Sequence, residues 1–176
     1  MVKRDLKEGR RATKLNNLPL GVRVLIIQAP YYEDIAAILL KNAETLLQHN
    51  KCEYEIITVE GALEIPQAFA AAVNAQMLGK AKTHYQGVVV LGCIIRGQTS
   101  HYEIVSSNTN FWLMKIAMKY SIPLGNGILT VDTYDQAHDR AVGVNGSSKG
   151  EEAVRACLGL VGLKNNFAYV KKVKSK

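Results

Sequence analysis

Long apolar runs are missing from this chain of 176 residues. No stretch approaches the roughly 18–20 residues that span a bilayer as a helix. The first residues, Met1-Val2-Lys3-Arg4-Asp5, are charged rather than apolar, so no secretory leader is expected. Both absences lead to the expectation of a soluble, cytoplasmic protein with no membrane partner. Cysteine is scarce: Cys52, Cys93 and Cys157 stand far apart with no CxxC pair, which argues against a disulfide framework or a zinc ribbon and suits a reducing compartment. The four histidines, His49, His84, His101 and His138, show no ligand spacing, so no metal is expected. No GxGxxG follows the first apolar strand, and Gly146-Ser147-Ser148-Lys149-Gly150 has neither the order nor the spacing of a P-loop.

What is present is an ordinary globular composition, 48% hydrophobic and 21% charged, with a formal charge of +7. A basic balance invites a polyanion reading, but its distribution removes most of that support. Residues 1–14 carry +4 and residues 164–176 carry +5, which leaves −2 for the body. Terminal charge runs are commonly solvated extensions, and these have only Phe167 and Tyr169 as neighbouring aromatics, too few for a base-stacking platform. No nucleic-acid partner is therefore expected. The organisation read from this is a basic lead-in over 1–19, one domain over 20–163 and a basic tail over 164–176.

Within the domain, Val22–Ile27 reads as a buried strand, and Asp34–His49 as a helix whose apolar residues recur at three- and four-residue steps. Cys52–Val59 reads as a second strand. Gly61–Pro66 reads as a loop, with Pro66 opening a helix over about Gln67–Leu78 that Gly79 ends. Gly87–Ile95 is apolar on both faces, as a central parallel strand must be. Tyr102–Tyr120 carries too many apolar residues for a single stripe, which implies either a deeply buried helix or one shared with a neighbouring subunit; the small size of the chain favours the subunit. Gly127–Val131 is a fourth strand, Tyr134–Val142 a helix that Asp132 or Thr133 can cap, and Glu151–Leu163 the last helix, after a Gly/Asn/Ser turn. Strands alternating with helices imply parallel pairing through right-handed crossovers. The predicted architecture is an α/β three-layer sandwich, with its ligand site beyond the carboxyl ends of the strands.

The segments at those ends carry chemistry. Arg96-Gly97-Gln98-Thr99-Ser100-His101 offers backbone donors, hydroxyls and an imidazole just before a helix N-terminus, a plausible phosphate site. His101 could move protons there, or simply cap the helix. Glu64 could accept hydrogen bonds from a polyol or an amine, or form a structural ion pair. Arg140 could pair bidentately with phosphate, or be solvated.

Four segments in order, GALEIP at 61–66, LGCIIRGQTSHYEIV at 91–105, GILTVDTYDQAHDRA at 127–141 and SKGEEA at 148–153, resemble the lumazine synthase family of riboflavin biosynthesis. The likeness runs from about Val22 to Leu163, and LGCIIRGQTSH is its most specific part. The resemblance implies a four-stranded parallel, flavodoxin-like sheet flanked by helices. It also implies a transferase that condenses 5-amino-6-(D-ribitylamino)uracil with 3,4-dihydroxy-2-butanone 4-phosphate to 6,7-dimethyl-8-ribityllumazine, releasing phosphate and water, without redox cofactor or metal. By the same resemblance, Tyr31 stacks on the pyrimidine, Ala62, Leu63 and Glu64 hold the ribityl chain, and Cys93, Ile94 and Ile95 line the ring pocket. Gln98 and Thr99 hold the phosphate, and His101 transfers protons. Arg140 and Lys149 come from a neighbouring subunit.

Two departures from the family pattern stand out. Asn126 precedes Gly127 where many members carry Phe, so an aromatic wall from the neighbouring subunit becomes an amide. The turn Val142–Ser148 is slightly longer than in shell-forming members and lacks their additional lysine. In the family a longer turn goes with free pentamers, so the resemblance implies a homopentamer with active sites between subunits rather than an icosahedral shell. A lumazine or flavin carrier without catalysis is the competing reading, which Asn126 and the altered turn would favour.

Overall fold

The computed structural model describes residues 18–78, 84–144 and 146–174, the last six of these by backbone alone. Nearly all of the basic lead-in, the expected helix stop at Gly79, and Asn145 lie outside the described residues.

Strand β1 (Arg23–Gln28) pairs on one side with β2 (Glu53–Thr58) and on the other with β3 (Gly87–Ile95); β3 then pairs with β4 (Leu124–Val131). Every pairing is parallel, and the strand order is β2-β1-β3-β4. The helices between them are α1 (Glu33–His49), α2 (Glu64–Asn74), α3 (His101–Tyr120), α4 (Tyr134–Val142) and α5 (Lys149–Lys174). Period-2 alternation along β1 divides the core: Val24 and Ile26 face α1 and α5 with Ala43, Leu47, Val154 and Leu158, while Leu25 and Ile27 face α2 and α3 with Ile65, Phe69 and Leu113. A third cluster joins Ile35 and Leu39 of α1 to Ala137 and Ala141 of α4 near the carboxyl ends of β3 and β4. The sheet thus lies between two helical layers, the predicted three-layer α/β sandwich with flavodoxin-like strand order.

Five element boundaries differ from the sequence reading by two residues or more. Helix α2 starts at Glu64 and stops at Asn74, because Gln76 takes a left-handed conformation (φ 58°) and Met77 N–H turns back to the Ala72 carbonyl at 3.1 Å. Glu64 therefore belongs to the first helical turn rather than to a loop. Strand β4 starts at Leu124, where pairing with Val88 begins, so Asn126 lies within the strand. Two glycines hide that stretch from a hydrophobicity pattern, and Gly125 is required by packing: a Cβ there would meet the Ala153 carbonyl oxygen of α5 at 1.9 Å. Helix α5 begins two residues earlier than expected, its N-terminal turn closed by Glu151 N–H donating to the buried Ser148 hydroxyl at 3.2 Å. It also continues past Leu163 to Lys174.

Helix α3 buries only Thr109, Leu113 and Ala117, a narrow stripe at four-residue steps. Phe111, Trp112, Met114 and Met118 are exposed, Met118 by 74%. The deeply buried alternative is thus excluded for the single chain, and an apolar helix face stands uncovered. No helix among the described residues is long and apolar enough to cross a membrane.

Candidate active site

The carboxyl ends of β1, β2 and β3 surround a cavity of about 320 Å³. Each wall follows from a local feature of the chain. After β1, Tyr31 and Tyr32 turn into α1 with their rings edge to face at 5.1 Å between centroids. After β2, Gly61, Ala62 and Leu63 form a tight turn in which Glu64 N–H reaches the Gly61 carbonyl at 3.2 Å and Ile65 N–H the Ala62 carbonyl at 3.3 Å. The Glu64 carboxylate folds back over this turn, since a Cβ at Gly61 would lie 2.9 Å from its Oε2. The floor is the end of β3, Cys93 to Ile95, and the far wall is Gly97, Thr99, His101, Tyr102 and Val105.

Electrostatically the floor is apolar. Burial pushes the Cys93 thiol up to about 11, with the Asp34 carboxylate adding to the shift. Cys93 therefore stays protonated at neutral pH and acts as a wall, not as a nucleophile. The Tyr32 phenol is also raised, first by burial and then by Cys93 and Tyr31. Opposite, Thr99 and His101 are exposed at the start of α3, where backbone N–H groups without helical partners favour an anion. One side of the cavity thus suits an aromatic ring, another a polyol beside Glu64, and the third an anion beside a group able to carry protons. Among the described residues no group of three His, Cys, Asp or Glu side chains is placed to hold a metal ion.

Nine residues expected at the site line this one cavity: Tyr31, Ala62, Leu63, Glu64, Cys93, Ile94, Ile95, Thr99 and His101. Gln98, Asn126, Arg140 and Lys149 do not. Gln98 sits exposed in the loop between Gly97 and Thr99. Arg140 is exposed on α4, donating from Nη1 to the Gln136 carbonyl at 3.2 Å, and Lys149 is paired with Glu152 at the start of α5. Asn126 is fixed on the α3 side of β4. Its Oδ1 accepts from Ile128 N–H at 3.0 Å, its Nδ2 donates to Asn110 Oδ1 at 2.6 Å, and Asn110 Nδ2 donates to the Ser106 carbonyl at 2.8 Å. Main-chain groups at both ends of this chain of bonds set the orientation of both amides.

The whole region around this cavity matches a known family. The model for 6,7-dimethyl-8-ribityllumazine synthase covers residues 21–165. The chain belongs to that family. Among curated proteins, the 6,7-dimethyl-8-ribityllumazine synthase of Beijerinckia indica subsp. indica is 46% identical over 169 residues, covering 94% of this chain and 90% of its own. That of Methylocella silvestris is 42% identical over 151 residues, covering 86% and 90%. That of Rhodopseudomonas palustris is 40% identical over 167 residues, covering 93% and 99%. The lumazine synthase resemblance read from four short motifs thus extends over most of the chain.

Sequence reasoning assigned no role to Tyr32, Tyr102 and Val105, which line the cavity, while Gly61 and Gly97 lie in segments it had already placed there. Tyr102 and Val105 could have been found, because they share a helical face with His101 at the start of α3. Tyr32 carries no periodic signal, since it precedes the first turn of α1.

Proposed function

We propose that this chain condenses 5-amino-6-(D-ribitylamino)uracil with 3,4-dihydroxy-2-butanone 4-phosphate, giving 6,7-dimethyl-8-ribityllumazine, phosphate and water. The observation that carries this reading is the single cavity in which Tyr31, Glu64, Thr99 and His101 meet, within a chain of this family. Tyr31 stacks on the pyrimidine, the Ala62–Glu64 turn takes the ribityl hydroxyls, and Cys93 to Ile95 form the ring floor. Gln98 and Thr99 hold the phosphate.

The chemistry needs little beyond placement and proton movement. The pyrimidine amine attacks the ketone carbonyl, water leaves and an imine forms. Loss of a proton from carbon expels phosphate, and ring closure with loss of a second water completes the lumazine. Holding both reactants in register supplies several kcal/mol on its own. His101, at the anion end, serves the proton transfers that accompany phosphate loss.

Arg140, Lys149 and Asn126 serve the cavity of an adjacent copy, in a homopentamer with sites between subunits. Two observations support this assembly: these three side chains lie away from the chain's own cavity, and the α3 face carrying Trp112 and Met118 is uncovered. In this role the Asn126 amide, with one N–H and one lone pair already engaged, offers one donor and one acceptor to the pyrimidine edge. The compartment proposed is the cytoplasm. Mixing the two substrates with the purified protein and following lumazine absorbance tests the reaction. A carrier would bind lumazine without accelerating its formation.

A further inference from the structure

Arg96 is the first residue after β3, and it does not line the cavity. Its backbone N–H extends the sheet by donating to the Val131 carbonyl at 2.9 Å. Its side chain makes three further contacts. Nε donates to Asp132 Oδ1 at 2.9 Å, just past β4; Nη1 donates to Glu103 in the first turn of α3; and the guanidinium lies over the Tyr102 ring, 4.1 Å from its centroid. One planar fork therefore ties the end of β4 to the start of α3, and the residues spanned between its anchors are Gly97 to His101.

Among the described residues, that loop is otherwise held at its far end, where the Ser100 carbonyl accepts from Glu103 and Ile104 N–H at 3.2 and 3.4 Å. Gly97 has open space on its side-chain side, and the Thr99 hydroxyl reaches His101 N–H only at 3.4 Å. Its path is set mainly by its two ends. The same contacts neutralise two carboxylates, Glu103 and Asp132, that would otherwise stand beside an anion site. The Glu103 carboxyl is held below its ordinary range by its hydrogen bond from Arg96.

We propose that Arg96 is a positioning residue for the phosphate end of the cavity: it fixes the Gly97–His101 loop and masks the two carboxylates flanking it. This rests on the reading of that loop as the phosphate site. The contribution is to placement rather than to global stability, because ion pairs this exposed, at 45% for Arg96 and 55% and 64% for its partners, stabilise a fold only weakly. Lysine cannot substitute, since an ammonium neither forks between two carboxylates nor stacks on Tyr102 in the same way.

The test compares wild type, R96A and R96K in steady-state kinetics and in amide hydrogen exchange. In both variants KM for the butanone phosphate rises about tenfold and kcat falls, while KM for the pyrimidine changes less than about twofold. An unchanged KM for the phosphorylated ketone, or an equal rise in both KM values, overturns the proposal. Amide exchange over 97–101, measured without substrate, is faster in both variants while exchange in β1 and β3 stays at the wild-type rate. Unchanged exchange in that loop also overturns it. Should the wild-type protein form no lumazine, the reaction assignment fails while the exchange comparison still decides the role of Arg96.

Discussion

At the scale of single residues, the cavity holds groups proposed to move protons and groups that stay inert. Cys93 is the clearest of the second kind. Its thiol, raised to about 11 by burial and by Asp34, exists as thiolate in only about one molecule in a thousand at pH 8. Iodoacetamide at pH 8 should therefore label Cys93 far more slowly than a free thiol, as read by peptide mass spectrometry; labelling at the free-thiol rate contradicts the buried placement. The folded value lies above the ordinary 9, so the associated stability is complete below about pH 9 and is lost as pH rises through 11. His101 is the counterpart. H101A should slow turnover on the order of a hundredfold with subunit assembly unchanged, and a wild-type rate would remove it from the mechanism. The residues at this scale that were legible in the sequence sit in continuous motifs: LGCIIRGQTSH contains the floor and the far wall. Tyr32 was not legible, because its place depends on how the turn after β1 closes in space.

At the scale of elements, the alternation of strand and helix was readable because β1, β3 and the second half of β4 are nearly continuous apolar sequence and α1 follows a three- and four-residue step. The misplaced boundaries have physical causes. The pattern of β4 is broken by Gly125, Asn126 and Gly127, yet these residues are strand because α5 needs a flat surface to pack on. G125A should therefore destabilise the protein by about 1–3 kcal/mol in urea unfolding, since the added methyl collides with the Ala153 carbonyl. An unchanged midpoint would mean that α5 does not sit against β4. The stop of α2 was hidden because Gln76 carries the left-handed turn, a conformation more often signalled by Gly or Asn. That early stop has a functional counterpart at the other end: α2 begins at Glu64, which holds its carboxylate on the rim of the cavity.

At the scale of the molecule, the charge excess belongs to the ends of the chain, while Arg140, Lys149 and His101 lie in the mildly acidic body. The α3 face is the main feature that one chain leaves uncovered, and the proposed pentamer would cover it. Light scattering should give the mass of five 19.3 kDa chains; a monomer or a particle of sixty subunits contradicts the pentamer. The expected subunit contact came from the surplus of apolar residues on α3, and the number five only from the turn Val142–Ser148 by resemblance.

Catalysis of lumazine formation is read out by paired stoichiometry. With both substrates supplied to wild-type protein, lumazine absorbance and inorganic phosphate should rise together, one phosphate per lumazine, well above the rate without protein. Product binding with no acceleration, or phosphate release without lumazine, would contradict it.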